Sequence, residues 1–290
     1  MNFLLSGMKK ERSIKGRENN FKMGRERKER RLAFIVGASS GIGLACSKAL
    51  AEEGYQTVLF AKRDGIDLGN LAEGIESEFG FRSYHDYFDV SDGARVHEVI
   101  GRRIREIGVP DVLINSAGFN RYEPFLSNGM KRQEEIVRVN LLGTMNMVHA
   151  VLPSMLDRGR GHIINISSMS AKMGSWGHAS YSAAKAGVVA LTQGLKAENE
   201  NIKFTCVLPG IVRTGFYDDY DNFQGTEFKG VIEAEDVSRR IVKEIGKRKP
   251  KLEVVIPRHY AVLDFIKLVS MRFAHGIVAE KSKPEPLRKE

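Results

Sequence analysis

Seven short segments spaced between Leu32 and Ile256 constrain this chain more than any other feature. They are Leu32-Ala33-Phe34-Ile35-Val36, Gln56-Thr57-Val58-Leu59-Phe60, the stretch 83–88, Asp111-Val112-Leu113-Ile114-Asn115, His162-Ile163-Ile164-Asn165-Ile166, Lys203-Phe204-Thr205-Cys206-Val207 and Leu252-Glu253-Val254-Val255-Ile256. Each is too short for a core helix, and most are apolar at consecutive positions, as strands buried on both faces are. The intervening stretches carry helical patterns, expected over about 41–53, 68–79, 91–107, 123–158 with a break near Pro153, and 179–198. Strands of this kind alternating with helices predict a parallel sheet covered on both sides. Right-handed crossovers then give a doubly wound α/β fold: a Rossmann-type, mostly parallel seven-stranded sheet with helices on both faces. It is expected to occupy residues 31–257 as one domain.

The charge is concentrated outside that region. Of a formal +9, residues 1–31 carry +7 through 11 basic and 4 acidic side chains, which leaves the remainder nearly neutral. Residues 1–30 have no apolar periodicity and are expected to be a disordered, solvated tail with no nucleic-acid partner. Cys46 and Cys206 fall in different predicted elements and outside any metal-type cluster. That pattern fits a reducing, cytoplasmic setting with neither disulfide nor metal.

Three motifs carry chemistry. The first strand runs into Gly37-Ala38-Ser39-Ser40-Gly41-Ile42-Gly43. Glycines after a strand and before a helix let the backbone approach a pyrophosphate, and the helix N-terminus offers it free N–H groups. The fourth strand ends in Asn115-Ser116-Ala117-Gly118, whose small residues leave room for a ligand at the sheet edge. Tyr181 and Lys185, at i and i+4, share a helix face, where an ammonium favours the phenolate. Thirteen residues before Tyr181, Ser168 lies just past the fifth strand, where its hydroxyl can bond a substrate carbonyl; Ser167 is the less favoured candidate by spacing.

Taken together and in order, these motifs, with Asp89-Val90, Asn140, Pro209-Gly210 and Thr214, identify the chain as similar to the short-chain dehydrogenase/reductase family over about residues 31–257. The resemblance implies roles position by position. Tyr181 would be the acid in reduction and the base in oxidation, with Lys185 as its partner and a ligand of the nicotinamide ribose. Ser168 would orient the substrate, and the backbone of Asn140 would hold a proton-relay water. Gly37, Ser39, Ser40, Gly41, Ile42, Gly43, Asn115, Ala117 and Gly118 would line the nucleotide. Asp89 and Val90 would flank the adenine, and Pro209, Gly210, Val212 and Thr214 would lie near the nicotinamide. Val36 stands where the family usually has Thr, Ser116 replaces a second Asn, and the connection 198–202 is about two residues short. None of these departures touches a catalytic position.

The second strand ends Phe60-Ala61-Lys62-Arg63. An NAD site of this fold places a carboxylate there to hold the ribose 2′-OH. Ala61 has none, and Lys62 or Arg63 can pair with a 2′-phosphate, which predicts NADP as cofactor. The expected activity is therefore hydride transfer between nicotinamide and the carbonyl or secondary alcohol of a partly apolar small molecule. Pocket candidates are Phe119, Arg121, Met173 and Trp176, and a loop after Thr214 carries Phe216, Tyr217, Tyr220 and Phe223 among Asp218, Asp219 and Asp221. The alternative is a silent dinucleotide-binding sensor or a membrane-associated scaffold. Residues 258–290 read as an apolar helix with a polar tail, rich in side chains such as Val262, Leu263, Phe265, Leu268, Val269, Met271, Phe273 and Ile277. This helix is expected to pack on the body or a partner subunit, the rival being peripheral membrane contact with Lys267 and Arg272 near headgroups. The resemblance further implies a homodimer or homotetramer built on the long helices.

Overall fold

The strand-and-helix alternation resolves into a seven-stranded parallel sheet. In the computed structural model, residues 31–290 are described except 128, 218–229, 263–264, 267–269 and 283–290. The basic tail, the lid residues Asp218, Asp219, Tyr220, Asp221 and Phe223, and Leu263, Lys267, Leu268 and Val269 therefore lie outside the described residues, as do the side chains of Tyr217 and Ile277. The strands are β1 (Arg31–Val36), β2 (Tyr55–Ala61), β3 (Ser83–Tyr87), β4 (Val112–Asn115), β5 (His162–Ile166), β6 (Lys203–Pro209) and, after two short strands, β9 (Glu253–Ile256). Their spatial order is β3-β2-β1-β4-β5-β6-β9. The order reverses between β1 and β4, the switch point outside which ligands bind in such sheets. The two-residue strands β7 (Val212–Arg213) and β8 (Ile232–Glu233) form a separate ribbon that the apolar runs did not announce.

Alternate residues of most strands feed cores on the two faces of the sheet. Ala33, Ile35, Leu59, Ile114, Ile164 and Val207 pack on one face with Cys46, Leu50, Val237 and Ile241. These come from α1 (Gly41–Glu52) and α7 (Ala234–Ile245). Phe34, Val36, Phe60, Leu113, Ile163 and Phe204 pack on the other face. Their partners there include Val96 and Ile100 of α3 (Gly93–Ile107) and Met147 and Val151 of α5 (Gly143–Arg158). A strand with a core on both faces has no polar side to show, which is why period-two alternation is missing from these runs. The remaining helices are α2 (Leu68–Phe79), α4 (Met130–Val137), α6 (Ala179–Glu198) and α8 (Met271–Ser282).

One expectation needs correction. The long helical stretch does not break at Pro153, which sits inside α5. The prolyl ring deprives the carbonyl four residues back, that of His149, of its partner. Both Pro153 and His149 are exposed, so water can take the bond. The irregularity falls instead at Arg138–Leu142, one π-helical turn between α4 and α5. At the C-terminus, the side chains of Val262, Phe265, Met271 and Phe273 are 55–66% exposed.

Candidate active site

The loops at the C-terminal ends of β1, β4, β5 and β6 border one cleft of about 340 Å³. Gly37, Ser39, Ser40, Gly41 and Ile42 line it after β1, and Ser116, Ala117 and Gly118 after β4. Ser167 and Ser168 line it after β5, Pro209, Gly210, Val212 and Thr214 after β6, and Tyr181 and Lys185 from α6.

The glycines are there because backbone comes too close for anything else. A Cβ at Gly37, whose φ is +76°, would lie 2.6 Å from the Ala117 nitrogen. One at Gly41 would meet the Thr214 side chain at 2.9 Å, and one at Gly43 would overlap the Gly37 carbonyl. The turn is also tied to β2, since the amides of Gly37 and Ala38 both donate to the Phe60 carbonyl at 2.8 and 3.1 Å. Ser40, the N-cap of α1, spends no side-chain bond on capping. The first-turn amides of this 12-residue helix thus keep their capacity for an anion. A glycine cradle with an uncapped helix start suits a dinucleotide pyrophosphate.

Lys185 is 4% exposed yet carries its ammonium into the site. Its Nζ donates to the Ile166 carbonyl at 2.9 Å and lies 5.6 Å from the centre of the Tyr181 ring. Burial pulls its pKa from 10.5 down to about 8. The Ser167 hydroxyl donates to the Lys185 carbonyl at 2.8 Å and so is committed to the backbone. The Ser168 hydroxyl accepts the Ser170 amide at 3.2 Å and keeps its own proton to give. Asn140 is fully buried in the π turn, its Nδ2 donating to Phe119 and Ile136 carbonyls at 2.7 and 2.9 Å. Its carbonyl accepts the Thr144 hydroxyl at 3.1 Å.

Several expected site residues do not border the cleft. Gly43 and Asn140 lie behind it. Asn115 donates through Nδ2 to Asn165 at 2.8 Å, joining β4 to β5. The Val90 carbonyl accepts Asn146 at 2.8 Å, and the Val90 side chain fills the space beside Gly143. Lys62 lies 3.2 Å from Asp89, and the Arg63 guanidinium stacks 4.8 Å over the Tyr87 ring. Burial pushes the Asp89 carboxyl up, but bonds from the Ser91 amide and hydroxyl and from Lys62 outweigh it, leaving the pKa below the usual range.

This assembly agrees with what known proteins show. The short chain dehydrogenase family matches residues 31–224. The chain belongs to that family. It is 33% identical over 217 residues to acetoacetyl-CoA reductase of Rhizobium meliloti, covering 74% of this chain and 83% of the reductase. Among solved structures, the short-chain dehydrogenase of Sphingobium yanoikuyae in complex with NADPH superposes with a TM-score of 0.72 at 27% identity, covering 83% of this chain and 95% of that one. The alcohol dehydrogenase of Thermococcus sibiricus, complexed with 5-hydroxy-NADP, gives 0.71 at 26%, covering 79% and 96%.

In this short-chain dehydrogenase the cleft also holds residues that sequence patterns missed: Asp64, Asn120, Ile166 and Gly215. A chain of rings supports Tyr181. Phe216 lies 5.7 Å from it on the cleft side and His178 5.8 Å on another, and Tyr122 packs on both His178 and Trp176 at 4.9 Å. Burial pushes His178 down to about 4, so its imidazole is neutral at pH 7. Gly177 also packs here: its Cβ, if present, would meet the Tyr122 ring at 2.9 Å.

Proposed function

We propose that this oxidoreductase is an NADP(H)-dependent carbonyl reductase or alcohol dehydrogenase acting on a partly apolar small molecule. The observation that carries the reading is the convergence of Tyr181, Lys185 and Ser168 on the glycine-lined cleft. Gly37, Ser39, Ser40, Gly41 and Ile42 would hold the pyrophosphate, with Gly43 packing the helix behind it. Asp89 and Val90 would border the adenine, and Asn115, Ala117 and Gly118 the ribose path. Pro209, Gly210, Val212 and Thr214 would bind the nicotinamide end. The bound nicotinamide supplies a hydride in reduction and accepts one in oxidation.

The chain's own groups manage the proton. Ser168 donates a hydrogen bond to the carbonyl oxygen. Tyr181 gives that oxygen its phenolic proton as the carbonyl carbon gains the hydride, leaving an alcohol and a phenolate. The Lys185 ammonium stabilises that phenolate, and Asn140 would hold the water that returns the proton. In oxidation the phenolate takes the alcohol proton. Phe119 and Phe216 give the substrate apolar walls. The test is a screen of carbonyl compounds with NADPH consumption as the readout; consumption that does not depend on the carbonyl compound would overturn the reading.

The NADP preference rests on Ala61, which leaves no carboxylate at the end of β2, with Lys62 and Arg63 following. The neighbour bound to NADPH supports it. Asp64 lines the cleft nearby and would oppose a 2′-phosphate, which limits the effect. A charge-assisted bond, discounted for the exposure of both cations, gives roughly a tenfold preference in kcat/KM for NADPH. Lys62→Ala with Arg63→Ala should raise KM for NADPH and spare KM for NADH. Equal kcat/KM for both nucleotides at low salt, where the contact is least screened, would refute the assignment.

Lys185 sets an expected pH dependence. Reduction needs the ammonium, so kcat/KM should hold at neutral pH and fall as pH rises through about 8. Stability moves the other way. Unfolded Lys185 keeps its proton up to its ordinary 10.5, so the unfolded state binds more protons between about 8 and 10.5 and this residue's contribution to stability rises with pH there. A reductive rate that climbs through this window would contradict the role.

A further inference from the structure

Among the charged residues lining the cleft are Asp64, Arg121 and Lys185. Asp64 follows the nucleotide-side strand β2, and Lys185 is bonded to the Ile166 carbonyl. Arg121 is half-buried, and no described residue offers it a hydrogen bond or a carboxylate. It sits in the loop after β4, next to Tyr122, which packs on His178, which packs in turn on Tyr181. Arg121 and Tyr181 line the same cleft. Asn120, the neighbour of Arg121, also borders the cleft but is only 5% exposed, and its Nδ2 is closed off from solvent, with no partner among the described residues.

Arg121 thus brings to this cleft a full positive charge and donors that no described residue uses. A guanidinium has five donors and no acceptor, and its fork matches the paired oxygens of a carboxylate or phosphate. Phe119 and Phe216 supply apolar surface in the same cleft. From this arrangement, and resting on the carbonyl-reductase reading above, we infer that the substrate is an anionic oxo compound whose carboxylate or phosphate is bound by Arg121.

The experiment compares three substrates with one reactive group: acetoacetate, its neutral ethyl ester, and acetoacetyl-CoA, which carries phosphates. The full chain and its Arg121→Gln and Arg121→Lys variants are assayed with NADPH. Losing a charge-assisted bond should lower the ratio of kcat/KM for the anion to that for the ester by about ten- to a hundredfold in Arg121→Gln. The loss should appear in KM, and Arg121→Lys should restore part of it. A fall confined to acetoacetate assigns a carboxylate, and one confined to acetoacetyl-CoA assigns a phosphate. An unchanged ratio overturns the inference, as would be found if Arg121 served the chain's own carboxylates, and ester turnover would then leave the reductase reading standing. No turnover of any of the three, while simple ketones are reduced, also overturns it alone. Failure on every carbonyl compound overturns both.

Discussion

Replacing Tyr181 with phenylalanine is expected to leave the melting temperature and nucleotide affinity near those of the unmodified chain while turnover falls by about 10²–10⁴-fold. The ring is largely buried, and its contacts with His178 and Phe216 are made by its carbon face, which phenylalanine keeps. What disappears is the hydroxyl, and with it the proton that the proposed mechanism gives to the carbonyl oxygen. Lys185 would remain bonded to Ile166, so its charge would still be in place but with no phenolate to stabilise. Steady-state kinetics on a good carbonyl substrate, alongside nucleotide titration and thermal melting, check this. A variant that keeps near-normal kcat would remove Tyr181 from the mechanism. One that melts much earlier would show that the hydroxyl is structural.

The second large effect is expected at Gly43, which does not border the cleft. An alanine there would drive its methyl group into the carbonyl oxygen of Gly37, a backbone atom that no rotamer change can move. The start of α1 and the Gly37–Gly41 turn must then separate. Overpacking of this kind costs about 1–3 kcal/mol or more. For a domain of this size that lowers the melting temperature by roughly 2–4 °C per kcal/mol. Because the displaced turn is the one lining the cleft, nucleotide affinity should drop as well, by about tenfold or more if about 1.4 kcal/mol or more of the strain is carried by the site. Gly74→Ala and Gly194→Ala are matched controls. Both lie in helices, and an added methyl meets nothing within 4 Å. They should be neutral or stabilising by up to about 1 kcal/mol. Equal behaviour of Gly43→Ala and these controls would show that the close approach is not maintained in solution.

What could be read from sequence divides along a physical line. The sheet was legible because most of its strands are buried on both faces and announce themselves as apolar runs, the half-buried Ser83–Tyr87 excepted, and because the first glycine turn must follow a strand to be useful. Tyr181 and Lys185 were legible because one helical turn makes them neighbours. Relations formed across large sequence separations left no local mark. Tyr122 and Phe216 come from distant loops to the Trp176–Tyr181 segment, where Tyr122 packs on Trp176 and His178 and Phe216 packs on Tyr181, and neither period 2 nor period 3.6 links them. Asp64 and Asn120 are single polar residues in loops, indistinguishable by composition from solvated ones until the cleft is drawn. Pro153 illustrates the opposite error: a strong local signal for a break falls inside a continuous helix, at exposed residues.

Lys185 is fastened at both ends, its carbonyl by the Ser167 hydroxyl and its ammonium by the Ile166 carbonyl, so the tip of β5 and the first turns of α6 behave as one welded joint. The energy needed to hold a positive charge in that joint is spent when the chain folds, not when a substrate arrives. On the proposed mechanism, the electrostatic part of the site would then already be in its working geometry, and the work left to binding would be to bring a carbonyl oxygen to a proton that is waiting.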